Sequence, residues 1–137
     1  MIVVDAHVLA YLWIPGDLTD AAEALLRKDP EWAAPFGWRG AFRDMVAGCL
    51  QKQALTLQAA LRAVEGAEQV LKGQEYNVPA EQVMKLAERS RCPASDCEYV
   101  VLAQDLDVPL VTTDEQVVKQ FPNVAKHLKT FARSSKR

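Results

Sequence analysis

A chain of 137 residues, 50% hydrophobic and 25% charged, is long enough for one domain that buries roughly two thirds of its unfolded surface, which excludes a disordered chain and a stapled miniprotein. Its formal net charge of −2 gives no global pull toward nucleic acid, so any such binding must rest on local basic patches. No apolar run approaches the roughly 20 residues of a membrane span and the amino terminus lacks a signal-peptide layout, so the expectation is a cytoplasmic protein with no membrane partner.

Met1 to Val4 are apolar without alternation, as in a strand covered on both faces of a parallel sheet, and Asp5 follows at its carboxyl end, where open α/β sheets place ligands. Val8, Leu9, Leu12 and Trp13 recur at helical spacing before Pro15-Gly16. Thr19 is expected to cap a second helix that stops before Asp29-Pro30. Trp32-Ala33-Ala34 suits a second strand, and Pro35 is expected to open a long helix whose buried stripe runs through Trp38, Phe42, Met45, Val46 and Cys49. Another helix spans Leu55 to Leu71, with Glu68 breaking its stripe and Gly73 as its stop.

Tyr76-Asn77-Val78 reads as a short strand, and Pro79 begins a helix that runs to Arg91. Ser95 is expected to cap the helix of Tyr99, Leu102, Ala103 and Leu106. A strand over Val108–Thr112 follows, and Asp114 then precedes a short helix from Glu115. The tail from Val124 suits a last strand or helix, and residues 133–137 read as a disordered basic tail outside a single domain over 1–132. Strands alternating with helices predict an α/β fold, a small, mostly parallel sheet flanked by helices on both faces. Cys49, Cys92 and Cys97 lack metal-ligand spacing and read as small hydrophobes.

Asp5, Asp96 and Asp114 would share one rim of such a sheet, and three carboxylates there repel unless a cation sits among them. Mg²⁺ suits the donors, because it takes oxygen ligands and is commonly held by one or two carboxylates plus water and phosphate. Each aspartate taken alone is more readily read as a helix cap. Ser95 to Glu98 and Thr113 to Gln116 fit capping boxes, which would leave Asp96 and Asp114 at first helical positions, free to point outward.

Taken together, Ile2-Val3-Val4-Asp5-Ala6, Ala34-Pro35 with Gly37-Trp38-Arg39, Ser95-Asp96-Cys97-Glu98-Tyr99-Val100-Val101-Leu102-Ala103 and Pro109-Leu110-Val111-Thr112-Thr113-Asp114 resemble the PIN-domain family, in its VapC-type toxin branch. The resemblance implies a three-layer α/β/α fold and a Mg²⁺- or Mn²⁺-dependent endoribonuclease. It also implies RNA as substrate, a cognate antitoxin as partner and a homodimer. Asp5, Asp96 and Asp114 carry over as catalytic and metal-binding residues, with Thr112 in support. The family's fourth acid follows a Trp-Arg pair, and here that place holds Ala41.

Two substitutes for that acid come from this chain. Asp44, three residues on, would reach a shared ion through water. Glu98 lies about 200° around its helix from Asp96, an awkward angle for ligation beside it. Arg39 and Arg43 are the expected substrate contacts, with Lys52, Lys126, Lys129 and Arg133 further away. His7 reads as a surface residue, and His127 has no acidic or cysteine company. A silent fold that binds RNA or protein is the alternative, because of Ala41. A phosphatase that begins with strand-then-Asp needs a second Asp two residues on, where this chain has His7.

Overall fold

Ile2, Val3 and Val4 are buried and form β1 (Ile2–Val4), the middle strand of a five-stranded sheet. The computed structural model describes residues 1–133. Its other strands are β2 (Trp32–Pro35), β3 (Glu75–Tyr76), β4 (Leu110–Thr112) and β5 (Ala125–His127), in the order β3-β2-β1-β4-β5. Every neighbouring pair is parallel, so the sheet is parallel throughout the described residues. Fully buried runs in β1, β2 and β4, apolar except for Thr112, suit that arrangement, since both faces of each strand are covered.

The helices α1 (Ala6–Trp13), α2 (Thr19–Lys28), α3 (Trp38–Gln51), α4 (Leu57–Val70), α5 (Ala80–Ser90), α6 (Ala94–Leu106), α7 (Glu115–Gln120) and α8 (Leu128–Arg133) complete a three-layer α/β/α fold. From β1 the chain builds outward to β2 and β3, then returns to build β4 and β5 on the other side. The boundary between β1 and β4 is therefore the topological switch point, and the crevice for a ligand lies at the carboxyl ends of these two strands.

Four local expectations are corrected. Pro35 ends β2 instead of opening α3, which starts at Trp38. The amides of Ala34 and Phe36 bond Gln74 O and Tyr76 O, so the ladder to β3 uses the residues either side of Pro35 and loses nothing to its missing N–H. Thr19 is the first residue of α2, and its hydroxyl accepts the Gly16 amide at 3.0 Å, tying the preceding turn instead of capping. Pro93, without a side-chain bond, precedes α6, so Ser95 caps nothing and Asp96 is the third helical residue. Arg133 is the last residue of α8, and the rest of the expected disordered tail lies outside the described residues.

The tail from Val124 holds both options, strand β5 followed at once by α8. Helix α6 packs against β1, β2 and β4, with Cys97, Tyr99, Val100, Val101, Leu102 and Ala103 all buried.

Candidate functional site

Asp5 leaves β1 and caps α1. Its Oδ1 accepts the Val8 amide at 3.0 Å, and its Oδ2 accepts the hydroxyl of Thr112. Thr112 is buried at the end of β4, and its Oγ1 also accepts the Asp114 amide at 3.0 Å. One hydroxyl thus fixes the Asp5 carboxylate and the backbone at Asp114 across the β1/β4 boundary. Asp114 is the cap of α7, not its first residue: Oδ1 accepts the amides of Gln116 at 3.0 Å and Val117 at 3.3 Å. Capping and facing the site coexist here, because each cap occupies a single carboxylate oxygen.

Asp96 enters from the first turn of α6 without a capping duty. Burial pushes its carboxyl above the ordinary value, and the negative charges of Asp114 and then Asp5 push further, while His7 opposes them. Burial likewise raises Asp5, against the lowering bonds from Thr112 and Val8, and the Asp114 charge again adds to the rise. Tyr99, buried beside them, is raised by burial first and then by Asp5 and Glu98. Burial is thus the main cause of both shifts, with the neighbouring carboxylates adding to it.

These groups open onto a cleft of about 520 Å³ lined by Asp5, Ala6, His7, Tyr11, Gly37, Ala41, Ser95, Asp96, Glu98, Tyr99, Thr113 and Asp114. Beneath it, a space of about 20 Å³ lies among Asp5, Asp96, Asp114, Thr112, Tyr99, Leu110 and Val117. That is room for about one water-sized occupant. Among the described residues, no group of three or more His, Cys, Asp or Glu side chains is placed to hold a metal ion outright. The donors still suit a hard divalent ion in their chemistry, all carboxylate oxygens, and Mg²⁺ needs only one or two such bonds while keeping several waters.

The structure brings Asp5, Asp96, Asp114 and Thr112 together. Ala41, at the place where the resemblance expects a fourth acid, also lines the cleft, and its side chain is a methyl group. Asp44 is exposed and is not among the lining residues. Glu98 is among them despite its angle from Asp96.

Arg39 is not free for a substrate. Its Nε donates to Glu75 Oε2 at 2.7 Å and its NH2 to Glu75 Oε1 at 2.9 Å, while NH1 meets Glu68 Oε2 at 3.2 Å. Trp38 Nε1 donates to the same Glu75 Oε2 at 2.6 Å. Glu68, the break in the α4 stripe, thereby gains its explanation as a partner of α3. Arg43 is exposed, with only a 3.8 Å approach to Glu68. Lys126 donates to Pro122 O at 3.0 Å, Lys52 follows the end of α3, and Lys129 and Arg133 are exposed on β5–α8.

Sequence reasoning passed over Tyr11, read Ser95 only as a cap and set His7 aside. His7 and Tyr11 are four apart on α1, hence on one face, and the Tyr11 hydroxyl lies 2.9 Å from Thr113 Oγ1. The signal was available: the apolar stripe of α1 left that face to be explained.

No protein-family model matches the sequence, and neither does any curated protein. Solved structures do match in shape. PAE2754 from Pyrobaculum aerophilum superposes with a TM-score of 0.76 at 17% identity, over 96% of this chain and 92% of that one. The fold is PIN-like. A toxin-antitoxin complex from Klebsiella pneumoniae gives a TM-score of 0.68 at 17% identity, over 92% of this chain and 97% of the matched chain. FitAcB from Neisseria gonorrhoeae gives 0.68 at 14% identity, over 93% and 98%. At these identities the likeness is one of fold. Among the described residues, no helix is long and apolar enough to cross a membrane.

Proposed function

We propose that this PIN-like chain is a metal-dependent endoribonuclease, the VapC-type toxin of a toxin–antitoxin pair acting in the cytoplasm as a homodimer. The observation that carries the catalytic reading is the convergence of Asp5, Asp96 and Asp114 around a water-sized space at the β1/β4 switch point, with two of the three carboxyls raised by burial and mutual charge. The toxin reading rests on the sequence resemblance and on the matching shape of chains from a toxin-antitoxin complex.

Asp5, Asp96 and Asp114 would hold Mg²⁺ or Mn²⁺, with water completing the coordination. When bound, such an ion supplies water activation at phosphorus and offsets charge on the leaving oxygen. The chain's own part is positional. Thr112 fixes the Asp5 carboxylate, the α7 cap fixes Asp114, and the cleft above admits a phosphodiester. Arg43, the less engaged of the two expected arginines, would meet substrate phosphate, which adds affinity and salt dependence without sequence choice.

Ala41 favours a second reading, a silent PIN-like fold that binds RNA or protein, because it places no carboxylate in the cleft. RNA cleavage at graded Mn²⁺ separates the two. The natural protein is expected to cleave, and Asp96→Asn to lower the rate by more than about 100-fold, beyond the upper range for outer-shell changes. Cleavage that survives Asp96→Asn overturns the site. Absence of cleavage by the natural protein, with activity gained in Ala41→Glu, supports the silent fold.

A further inference from the structure

We infer that Cys92 and Cys97 form a redox-modification site, a pair of thiols at the turn between α5 and α6 that a peroxide converts into an intramolecular disulfide. The inference is independent of what the cleft binds. Cys49, Cys92 and Cys97 are all free thiols, and the last two meet where the left-handed Arg91, φ 67°, ends α5 and Pro93 precedes α6. Cys97 is fully buried, and its Sγ lies 3.7 Å from the carbonyl oxygen of Cys92. Ser90 Oγ stands 3.9 Å from the same sulfur and accepts the Cys92 amide at 3.2 Å. The Cys92 carbonyl and the hydroxyl that fixes the Cys92 amide thus both touch the Cys97 thiol. The Cys97 amide also donates to Pro93 O at 3.0 Å, which draws the two backbones together. A disulfide needs such closeness, with Cα atoms within about 7 Å.

Cys92 is half-buried between exposed Arg91 and Pro93, so an oxidant from solvent meets it first. Burial makes Cys97 a poor target for an outside reagent and leaves it to the second step. In the reduced protein the Cys92 thiol donates to Gln120 Oε1 at 2.8 Å, which points it toward α7. Leaving that acceptor is a rotation of the Cys92 side chain, toward a sulfur already in contact with the Cys92 backbone. The Cys92 thiolate displaces hydroxide from hydrogen peroxide and becomes a sulfenic acid. The Cys97 sulfur then attacks the Cys92 sulfur, and its proton leaves with the sulfenic hydroxyl as water. Both thiols together lose a pair of electrons and a pair of protons, and the peroxide is reduced to water. The loop so closed contains Ser95 and Asp96, so the bond ties one wall of the cleft to the end of α5. Because Cys92 stays near the surface, a thiol reductant reverses the step.

Peroxide treatment of the full chain, followed by alkylation under denaturing conditions and mass spectrometry, tests this. Trypsin cuts after Arg91 and Lys119 and nowhere between, so both cysteines fall in a single peptide. That peptide is expected to be a pair of hydrogens lighter and to carry no alkyl group, while Cys49 is alkylated. Dithiothreitol is expected to restore alkylation at all three cysteines. Cys92→Ser, a change at a half-buried turn, is expected to keep Cys97 as a free thiol at the same dose. Cys97→Ala, with its fold checked by circular dichroism, is expected to stop at a Cys92 sulfenic acid that dimedone labels. Alkylation of all three cysteines after peroxide, cross-links only between chains, or oxidation of Cys97 in Cys92→Ser as fast as in the natural protein overturns the pair.

Discussion

Two groups of carboxylates lie on either side of α3, and they are finished differently. On one side, Glu75 takes a two-point bond from Arg39 and a third from Trp38, and Glu68 receives the remaining arm of Arg39. On the other, Asp5, Asp96, Asp114 and Glu98 share a cleft that offers hydroxyls and amides and, among the described residues that line it, only His7 as a base. The carboxyl shifts run in opposite directions. The Arg39 guanidinium holds Glu75 below its usual value, whereas burial and neighbouring charge lift Asp5 and Asp96. The same residue type forms a completed buttress where the chain supplies its own cation, and lines an open cleft where it does not.

The strongest way to break this contrast is to loosen the cleft without removing a charge. Thr112→Val keeps the volume but removes the hydroxyl shared by Asp5 and the Asp114 amide. We expect RNA cleavage at fixed Mn²⁺ to fall about 10–100-fold, as for other partners that orient a metal's ligands. Urea melts should show a loss of about 1–3 kcal/mol for the orphaned buried groups. An unchanged rate would mean that the positioning of Asp5 is irrelevant to the chemistry.

A smaller change is expected at the buttress. Glu75→Gln should cost about 1–2 kcal/mol in urea melts, a charged hydrogen-bond value discounted because the Arg39 side chain is 36% exposed. The pH dependence sharpens it. Since the folded Glu75 carboxyl lies below its unfolded value, its contribution is complete above the unfolded value and disappears as pH falls through the folded one. The natural protein should lose that increment in acid and Glu75→Gln should not. Equal acid sensitivity in the two would place the pH dependence elsewhere.

The smallest effect has the opposite sign. In the metal-free protein, Asp96 is raised, so its ionised form costs stability at neutral pH, and that cost fades as pH falls through the raised value. Asp96→Asn should therefore give a small rise in Tm at neutral pH, shrinking in acid, although it disables cleavage. A lower Tm at neutral pH would show that the Asp96 carboxylate stabilises the fold instead of straining it.

Most of the architecture was legible because it depends on local pattern. The unbroken apolar run of Met1 to Val4, the stripes of α3 and α4, and the strand-then-aspartate motifs at Asp5 and Asp114 each follow from periodicity and from the geometry of parallel sheets. The errors fall where one residue can serve two neighbours. Pro35 was as good a helix opener as a strand end until β3 set the ladder beside it, and Ser95 was as good a cap as a cleft residue until Pro93 began α6.

By itself, the sequence determined the central strand, the α/β class and the placement of Asp5 and Asp114 just past strand ends, because hydrophobic period and strand-end position are encoded within short windows. Partnerships across distant segments required the tertiary structure. Arg39 was indistinguishable from a substrate contact until Glu75, 36 residues away, closed on it. Glu98 looked misdirected on an isolated helix, yet in the folded chain, with α6 packed against three strands, it lines the same cleft as Asp96. Charge is written in the sequence, but whether a charge is already neutralised depends on which elements pack together.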